Sequence, residues 1–272
     1  MGSVYRPIQT PKLQKEQQRP GYSYQEYAPC EQLTPYVACY WTLDFHADVE
    51  SQLHRIIPDG CVDIIVNRLS PSSRKAAFVE GIMTQYELIH LSEVQSLFGI
   101  RFFLESAQTV LKFPVSAFAG QHVFLEELWG LEGEHFVEEI LSANMATEIV
   151  GVVERQLKRV FAVDDSSVHP LLHASVQYLY AAKGNLSMLG LAEELGFSER
   201  HLRRVFHSEL GVGPKEMIGI VRFQSMLREI YSGSYTNLTD LALKYGYYDQ
   251  SHYIKNFKRY YGILPKQISK TD

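Results

Sequence analysis

Gly246-Tyr247-Tyr248-Asp249-Gln250-Ser251-His252-Tyr253-Ile254-Lys255-Asn256-Phe257-Lys258-Arg259, followed by Gly262 and Pro265-Lys266, belongs to a pattern that this chain carries twice. The first copy runs Leu191-Ala192, Gly196-Phe197, Phe206, Gly211, Pro214-Lys215, and the second Leu241-Ala242, Gly246-Tyr247, Phe257, Gly262, Pro265-Lys266. The offset is 50 residues at the start and 51 at the end, so the second copy holds one inserted residue. Two units are too few for a solenoid, which needs at least three. Each copy reads as a short helix, a glycine-containing turn and a second helix. That is the outline of a helix-turn-helix, whose second helix enters the major groove of DNA.

Working outward, His169 to Ala182 reads as a helix that stops near Gly184, and Met188 to Leu195 as the short positioning helix. Ser198 is a good N-cap for the next helix. There Leu202, Val205, Phe206 and Leu210 form an apolar stripe, and Arg200, Arg203, Arg204 and His207 lie opposite at i, i+3, i+4 and i+7. A solvated face is the bland reading of three arginines; on the second helix of such a motif the DNA-facing reading is the stronger. Arginine suits that role because its fork bonds guanine O6 and N7 together, whereas lysine acts as a point charge. Pro214 opens a helix to about Tyr231, roughly 27 Å of rigid spacer. Asn237 with Asp240 resembles a capping pair, Leu238 to Tyr245 forms the second positioning helix, and Asp249 caps the second recognition helix. Its inward positions include Tyr253 and Phe257, and its outward ones Gln250, Ser251, His252, Ile254 and Lys255. Ile254 either touches a thymine methyl or is partly buried. Lys258 and Arg259 suit phosphates better than bases. Two such helices on a rigid spacer can enter successive major-groove segments, roughly 34 Å apart. Their outward residues differ, so the two half-sites would not be palindromic.

Residues 170–269 resemble the DNA-binding domain of the AraC/XylS family of bacterial transcription regulators, most specifically through Gly246 to Arg259, Gly262 and Pro265. The resemblance implies a sequence-specific regulator whose base-contacting residues stand at Arg200, Arg203, Arg204, Gln250, Ser251, Ile254 and Lys255. It implies double-stranded DNA as partner, allows RNA polymerase as a second, and places the chain in the cytoplasm. Pro58-Asp59-Gly60-Cys61-Val62-Asp63-Ile64-Ile65, Phe98-Gly99-Ile100-Arg101-Phe102 and Leu125-Glu126-Glu127-Leu128-Trp129-Gly130 resemble an uncharacterised domain found ahead of such DNA-binding domains. By that analogy the first half senses an unidentified small-molecule effector or mediates homodimerisation.

The expected fold class is α+β: a β-rich, barrel- or sandwich-like N-terminal domain with appended helices, then an all-α domain with two helix-turn-helix units joined by a long helix. Residues 1–162 form the first domain, with 1–21 as a flexible arm; residues 163–169 are the linker and 170–272 the DNA-binding domain. Tyr36 to Phe45, Leu53 to Ile57, Cys61 to Val66, Ala76 to Met83, Tyr86 to Leu91 and Gln95 to Phe103 read as strands. The two runs flanking Pro58-Asp59-Gly60 read as a hairpin. Helices follow at Glu105 to Lys112, Val123 to Trp129, Glu134 to Leu141 and Met145 to Phe161. In the last, Ile149, Val152, Val153, Leu157, Val160 and Phe161 make one apolar stripe, packed on the sheet domain or on a second subunit. The candidate effector pocket takes polar and aromatic groups on these strands: Trp41, His54, Arg55, Asp59, Asp63, Arg101 and Phe103. Each has a competing reading as core or turn.

Charge separates along the chain. Residues 1–168 carry 13 Lys+Arg and 22 Asp+Glu, a net of −9; residues 169–272 carry 13 and 9, a net of +4. A basic C-terminal part on an acidic chain fits a nucleic-acid footprint. No run of 18 apolar residues predicts a membrane span, and the polar N-terminus lacks the apolar segment of a secretory signal. Three cysteines, Cys30, Cys39 and Cys61, fit a reduced compartment and form no C-x₂-C zinc pair. His46, His54, His90, His122 and His135 are scattered, and no G-x-S-x-G or phosphate-binding glycine motif occurs. No catalytic residue, metal or cofactor is therefore expected. The alternative is an enzymatic or metal-binding sheet domain with DNA binding secondary, which would require His, Cys or carboxylates to cluster in the folded first half.

Overall fold

The computed structural model describes residues 5–13, 21–46, 52–162, 168–235 and 237–268. After a one-turn helix α1 (Thr10–Leu13), the first half contains strands β1 (Tyr22–Tyr27), β2 (Val37–Phe45), β3 (Gln52–Ile56), β4 (Cys61–Asn67), β5 (Ala77–Glu80), β6 (Glu87–Leu91) and β7 (Gln95–Phe103). It ends with α2 (Leu104–Leu111), a short β8 (Val123–Phe124), α3 (Leu125–Trp129), α4 (Leu131–Ser142) and α5 (Ala146–Ala162). The main sheet is antiparallel in the order β1-β2-β7-β4-β5-β8, and β3 pairs with β6 as a separate ribbon. The stretch from Val123 is therefore two residues of edge strand before its helix begins.

Alternation along the strands gives the sheet two apolar faces. Tyr40, Val62, Ile64, Val66, Phe98, Ile100 and Phe102 point to the helix side and join the main core. Trp41, Leu43 and Phe45 point to the other side and cluster with Tyr22 and with Leu91 of the ribbon. On α5, Ile149, Val153 and Leu157 are fully buried and Phe161 stacks on Tyr36 at 4.0 Å, so the stripe is spent within the chain.

Two expectations are corrected. Pro58-Asp59-Gly60 is not a hairpin turn: β3 pairs with β6 and β4 with β5 and β7, so these residues carry the chain from the ribbon to the main sheet. Gly60 takes φ +67° there, and Asp59 Oδ1 accepts from Cys61 N at 3.0 Å. A loop with good turn chemistry serves a crossover as well as a hairpin, because the turn fixes direction and not partner. Nor are residues 5–13 a free arm. Tyr5, Ile8 and Gln9 are buried; the Tyr5 hydroxyl donates to Asp59 O at 2.7 Å, and Gln9 exchanges hydrogen bonds with Ile57. The rest of the expected arm, residues 1–4 and 14–20, lies outside the described residues, as do residues 163–167 of the expected linker.

The second half is helical: α6 (Pro170–Ala181), α7 (Met188–Leu195), α8 (Glu199–Leu210), α9 (Pro214–Ser232), α10 (Leu238–Lys244) and α11 (Gln250–Tyr261). Its core is continuous with the helix side of the sheet. Within α9, Met217, Ile220, Val221, Phe223, Met226 and Leu227 are all fully buried. The polar Gln224 is buried among them and is satisfied across the chain: its Oε1 accepts from Ile8 N at 2.8 Å and its Nε2 donates to Pro58 O at 2.7 Å. Buried polar groups need such partners, and here they bind the N-terminal strap, the crossover loop and the central helix together.

Candidate DNA-reading surface and a cavity in the sheet domain

Each helix-turn-helix is built by the same devices. Ser187 and Asn237 cap α7 and α10, and Ser198 and Asp249 cap α8 and α11, each accepting from a backbone N–H one turn on. Gly196 and Gly246 both sit at φ +70°, the left-handed conformation that lets the chain reverse between the two helices. Leu202, Phe206 and Leu210 anchor α8, and Tyr253, Phe257 and Tyr261 anchor α11, all buried. Full burial of the leucine and phenylalanine side chains contributes about 1.5–3 kcal/mol each.

With the apolar face held down, the opposite face of each helix is presented to solvent. Arg200, Arg203, Arg204 and His207 are exposed on α8, and Gln250, Ser251, His252, Lys255, Lys258 and Arg259 on α11. Ile254 is half-buried against the core, which favours the packing side of its two readings. Some of these cations have local partners: Arg203 bonds Glu199 at 2.5 Å, Arg204 meets His201 Nδ1 at 2.8 Å, and Arg259 pairs with Glu216. Tyr248, 90% exposed just ahead of α11, was not among the sequence candidates. Its signal was an aromatic in a turn with no apolar position to fill.

The sheet domain holds the C-terminal end of each of these helices. Ser116 Oγ donates to Ser208 O at 2.6 Å, and Gln108 Nε2 donates to Glu209 O at 3.3 Å, beside the end of α8. At the end of α11, Arg55 donates to Tyr261 O and lies between the rings of Tyr86 and Tyr261, at 5.6 and 5.7 Å.

Between the non-helical face of the main sheet and the β3–β6 ribbon lies a cavity of about 360 Å³. Strand register lays out its floor. Cys39, Arg101, Asp63 and Glu80 stand directly opposite one another across β2, β7, β4 and β5. Trp41, Gly99, Ile65 and Phe78 form the next row. Gly99 is required there, because a Cβ would lie 1.9 Å from Cε2 of Trp41. The ribbon contributes His54, Ile56, Glu87 and Ile89.

The polar groups around Arg101 are tightly bonded. Arg101 meets Asp63 through two bonds of 3.0 and 2.8 Å and Asp59 at 3.0 Å. Trp41 Nε1 donates to Asp63 at 2.9 Å and Gln9 Nε2 to Asp59 at 2.8 Å. Burial alone would lower the Arg101 pKa, but the Asp63 and Asp59 carboxylates overcome it and hold the guanidinium charged. Burial, aided by Arg101, pushes His54 down to about 4, so it is a neutral imidazole at pH 7, facing the Tyr22 hydroxyl across 2.9 Å.

Of the seven candidate pocket residues, Trp41, His54, Asp59, Asp63 and Arg101 thus converge on one cavity. Two do not. Arg55 alternates with His54 and Ile56 on β3 and so faces outward to α11. Phe103 stands opposite Cys61 at the end of the floor, packed with Tyr5 of the strap and Val221 of α9, and does not line the cavity. Gln9, Tyr24 and Glu80 line the cavity and were missed; the alternation Ala77-Phe78-Val79-Glu80 is the signal that could have found the last. Among the described residues, no group of three or more His, Cys, Asp or Glu is arranged to hold a metal ion, and no helix is long and apolar enough to cross a membrane.

Comparison with known proteins matches both halves. Residues 25–124 match the family model of a domain of unknown function (DUF6597), and residues 191–271 that of a helix-turn-helix domain. The HTH-type transcriptional activator AarP of Providencia stuartii is 35% identical over 32% of this chain and 64% of its own length. An uncharacterized HTH-type transcriptional regulator of Haemophilus influenzae is 29% identical over 41% of this chain and 36% of its own. The chain therefore spans less than two thirds of either relative. The structure of ToxT from Vibrio cholerae aligns over 91% of this chain and 97% of its own at 13% identity, with a TM-score of 0.41, too low to establish a common overall fold. Taken with the two helix-turn-helix units described above, the matches give this chain a helix-turn-helix domain with a domain of unknown function ahead of it.

Proposed function

We propose that this chain is a sequence-specific transcription regulator that reads two adjacent major-groove segments with α8 and α11 and is controlled by a small molecule in the sheet-domain cavity. The observation that carries the reading is the pair of capped helices at either end of the buried α9, each presenting a polar, cation-bearing face to solvent. Nineteen residues of α9 give a spacer of about 28 Å. Arg200, Arg203 and Arg204 supply the forks suited to guanine, Gln250, Ser251 and Lys255 finer polar contacts, and Lys258 a phosphate contact. The cavity has the size of a small-ligand site, about 300–1,000 Å³, and its lining converges polar groups onto aromatic walls.

Footprinting on a site selected from random DNA tests the reading. One chain should protect two major-groove segments about one turn apart, and inverting one half-site should abolish binding. Protection of a single segment, or equal binding to a palindrome, would remove the two-helix reading.

A further inference from the structure

The cavity is electrostatically one-sided. Its charged lining sets the carboxylates of Asp59, Asp63, Glu80 and Glu87 against a single guanidinium, Arg101; of its two imidazoles, His54 is neutral and His90 lies exposed on the ribbon. Arg101 already has both aspartates as partners. Glu80 stands opposite Asp63 on the floor, half-buried, with no hydrogen-bond or ionic partner among the described residues. Glu87, exposed on the ribbon, is close enough to act on it: burial, then repulsion from Glu87 and Asp63, raises the Glu80 pKa. A half-buried carboxylate facing other carboxylates is unfavourable unless something balances it. Trp41, Tyr24, Phe78, Ile65 and Leu43 give the remaining walls aromatic and aliphatic surface.

We infer that the cavity takes an organic cation, an ammonium or amidinium head on a compact apolar or aromatic body, with the head at Glu80 and Glu87 and the body along Trp41, Phe78 and Ile65. The inference rests on the proposal that this cavity is the effector site. Arg101 is a poor anchor for an anionic ligand, because Asp63 and Asp59 already hold its Nε and Nη2 and a carboxylate entering here would meet both of them and the uncompensated Glu80. The volume limits the occupant to something of the size of an arylalkylamine or short alkylammonium.

The test uses the full chain and three isosteric probes, phenethylamine, 2-phenylethanol and phenylacetate, in calorimetric titration, with calcium chloride as a fourth. Phenethylamine should bind saturably and at least tenfold more tightly than the alcohol, and phenylacetate should not bind. Glu80→Gln should fold, because it loses a repelled charge and no partner, and in it amine and alcohol should bind alike. Phenylacetate binding as well as the amine would overturn the charge assignment and leave the effector cavity standing. Calcium binding with the same dependence on Glu80 would overturn the organic part. If none of the organic probes binds either protein, the cavity proposal falls as a whole. DNA binding by the same preparation in a gel shift then reports on the reading helices independently.

Discussion

Arg101 and Arg203 are the same residue put to opposite uses. Arg101 lies on a central strand, 5% exposed, with Nε and Nη2 of its guanidinium committed to Asp63 and Asp59. Arg203 lies on an exposed helix face and shares one ion pair with Glu199, a neighbour on the same helix. The first is expensive to remove and already balanced by two carboxylates. The second is cheap to remove and can exchange a solvent-exposed contact, typically worth 1 kcal/mol or less, for a base or phosphate. A positive charge thus acquires its role from the number of partners the fold has already assigned it, which residue type alone does not disclose.

The sharpest way to break this contrast is Arg101→Ala. Removing one member of a buried ionic cluster strands the others, so the loss of stability in urea should be about 3–5 kcal/mol. A loss below about 1 kcal/mol would mean that the cavity solvates its aspartates and that the cluster is not structural. Next in size is pH dependence from the same cavity. His54 falls from its ordinary 6.5 to about 4 on folding. A base whose pKa is depressed by folding binds more protons in the unfolded chain between those values. Its contribution is complete above pH 6.5 and is lost as pH falls toward 4, by about 3 kcal/mol at most. Comparing unfolding at pH 7 and 4.5 in the parent and in His54→Asn isolates this part; equal losses in both would refute it.

Arg203→Ala should behave in the reverse manner to Arg101→Ala. Stability should change by less than about 0.5 kcal/mol, while specific DNA binding weakens by about 1–3 kcal/mol in a gel shift at fixed salt. Unchanged affinity would remove Arg203 from the base-reading set. Lys258→Ala is the smallest effect and sharpens the comparison within α11. It should weaken binding to all sequences alike and lower the salt-dependence slope by about 1; a sequence-selective loss would make it a base contact instead.

Much of the fold follows from local periodicity and capping. Met188–Leu195 and Gln95–Phe103 fall where the residues place them, because apolar spacing, N-caps and stop glycines are short-range signals. What escaped is long-range. The crossover at Pro58-Asp59-Gly60 looks like a hairpin to any reading that cannot see β7 entering beside β4. The strap at residues 5–13 is polar in composition, yet Gln9 is buried because Asp59 and Ile57 supply its partners some 50 residues away. In the cavity, five candidates were legible as polar or aromatic groups on strands, but period two alone separates His54 from Arg55. Glu80 needed the register with Asp63 to acquire any meaning.

That alternation on β3 has a thermodynamic consequence. One short strand turns His54 and Ile56 toward the cavity and Arg55 toward the carbonyl of Tyr261. A molecule whose hold on the cavity depends on where β3 sits would therefore alter the position of Arg55 and the end of α11, and the exchange runs both ways. By linkage, whatever factor such an occupant applies to DNA affinity, DNA must apply to the affinity for the occupant. Occupancy titrations run with and without DNA would then differ by that same factor, so either site can be used to measure the other.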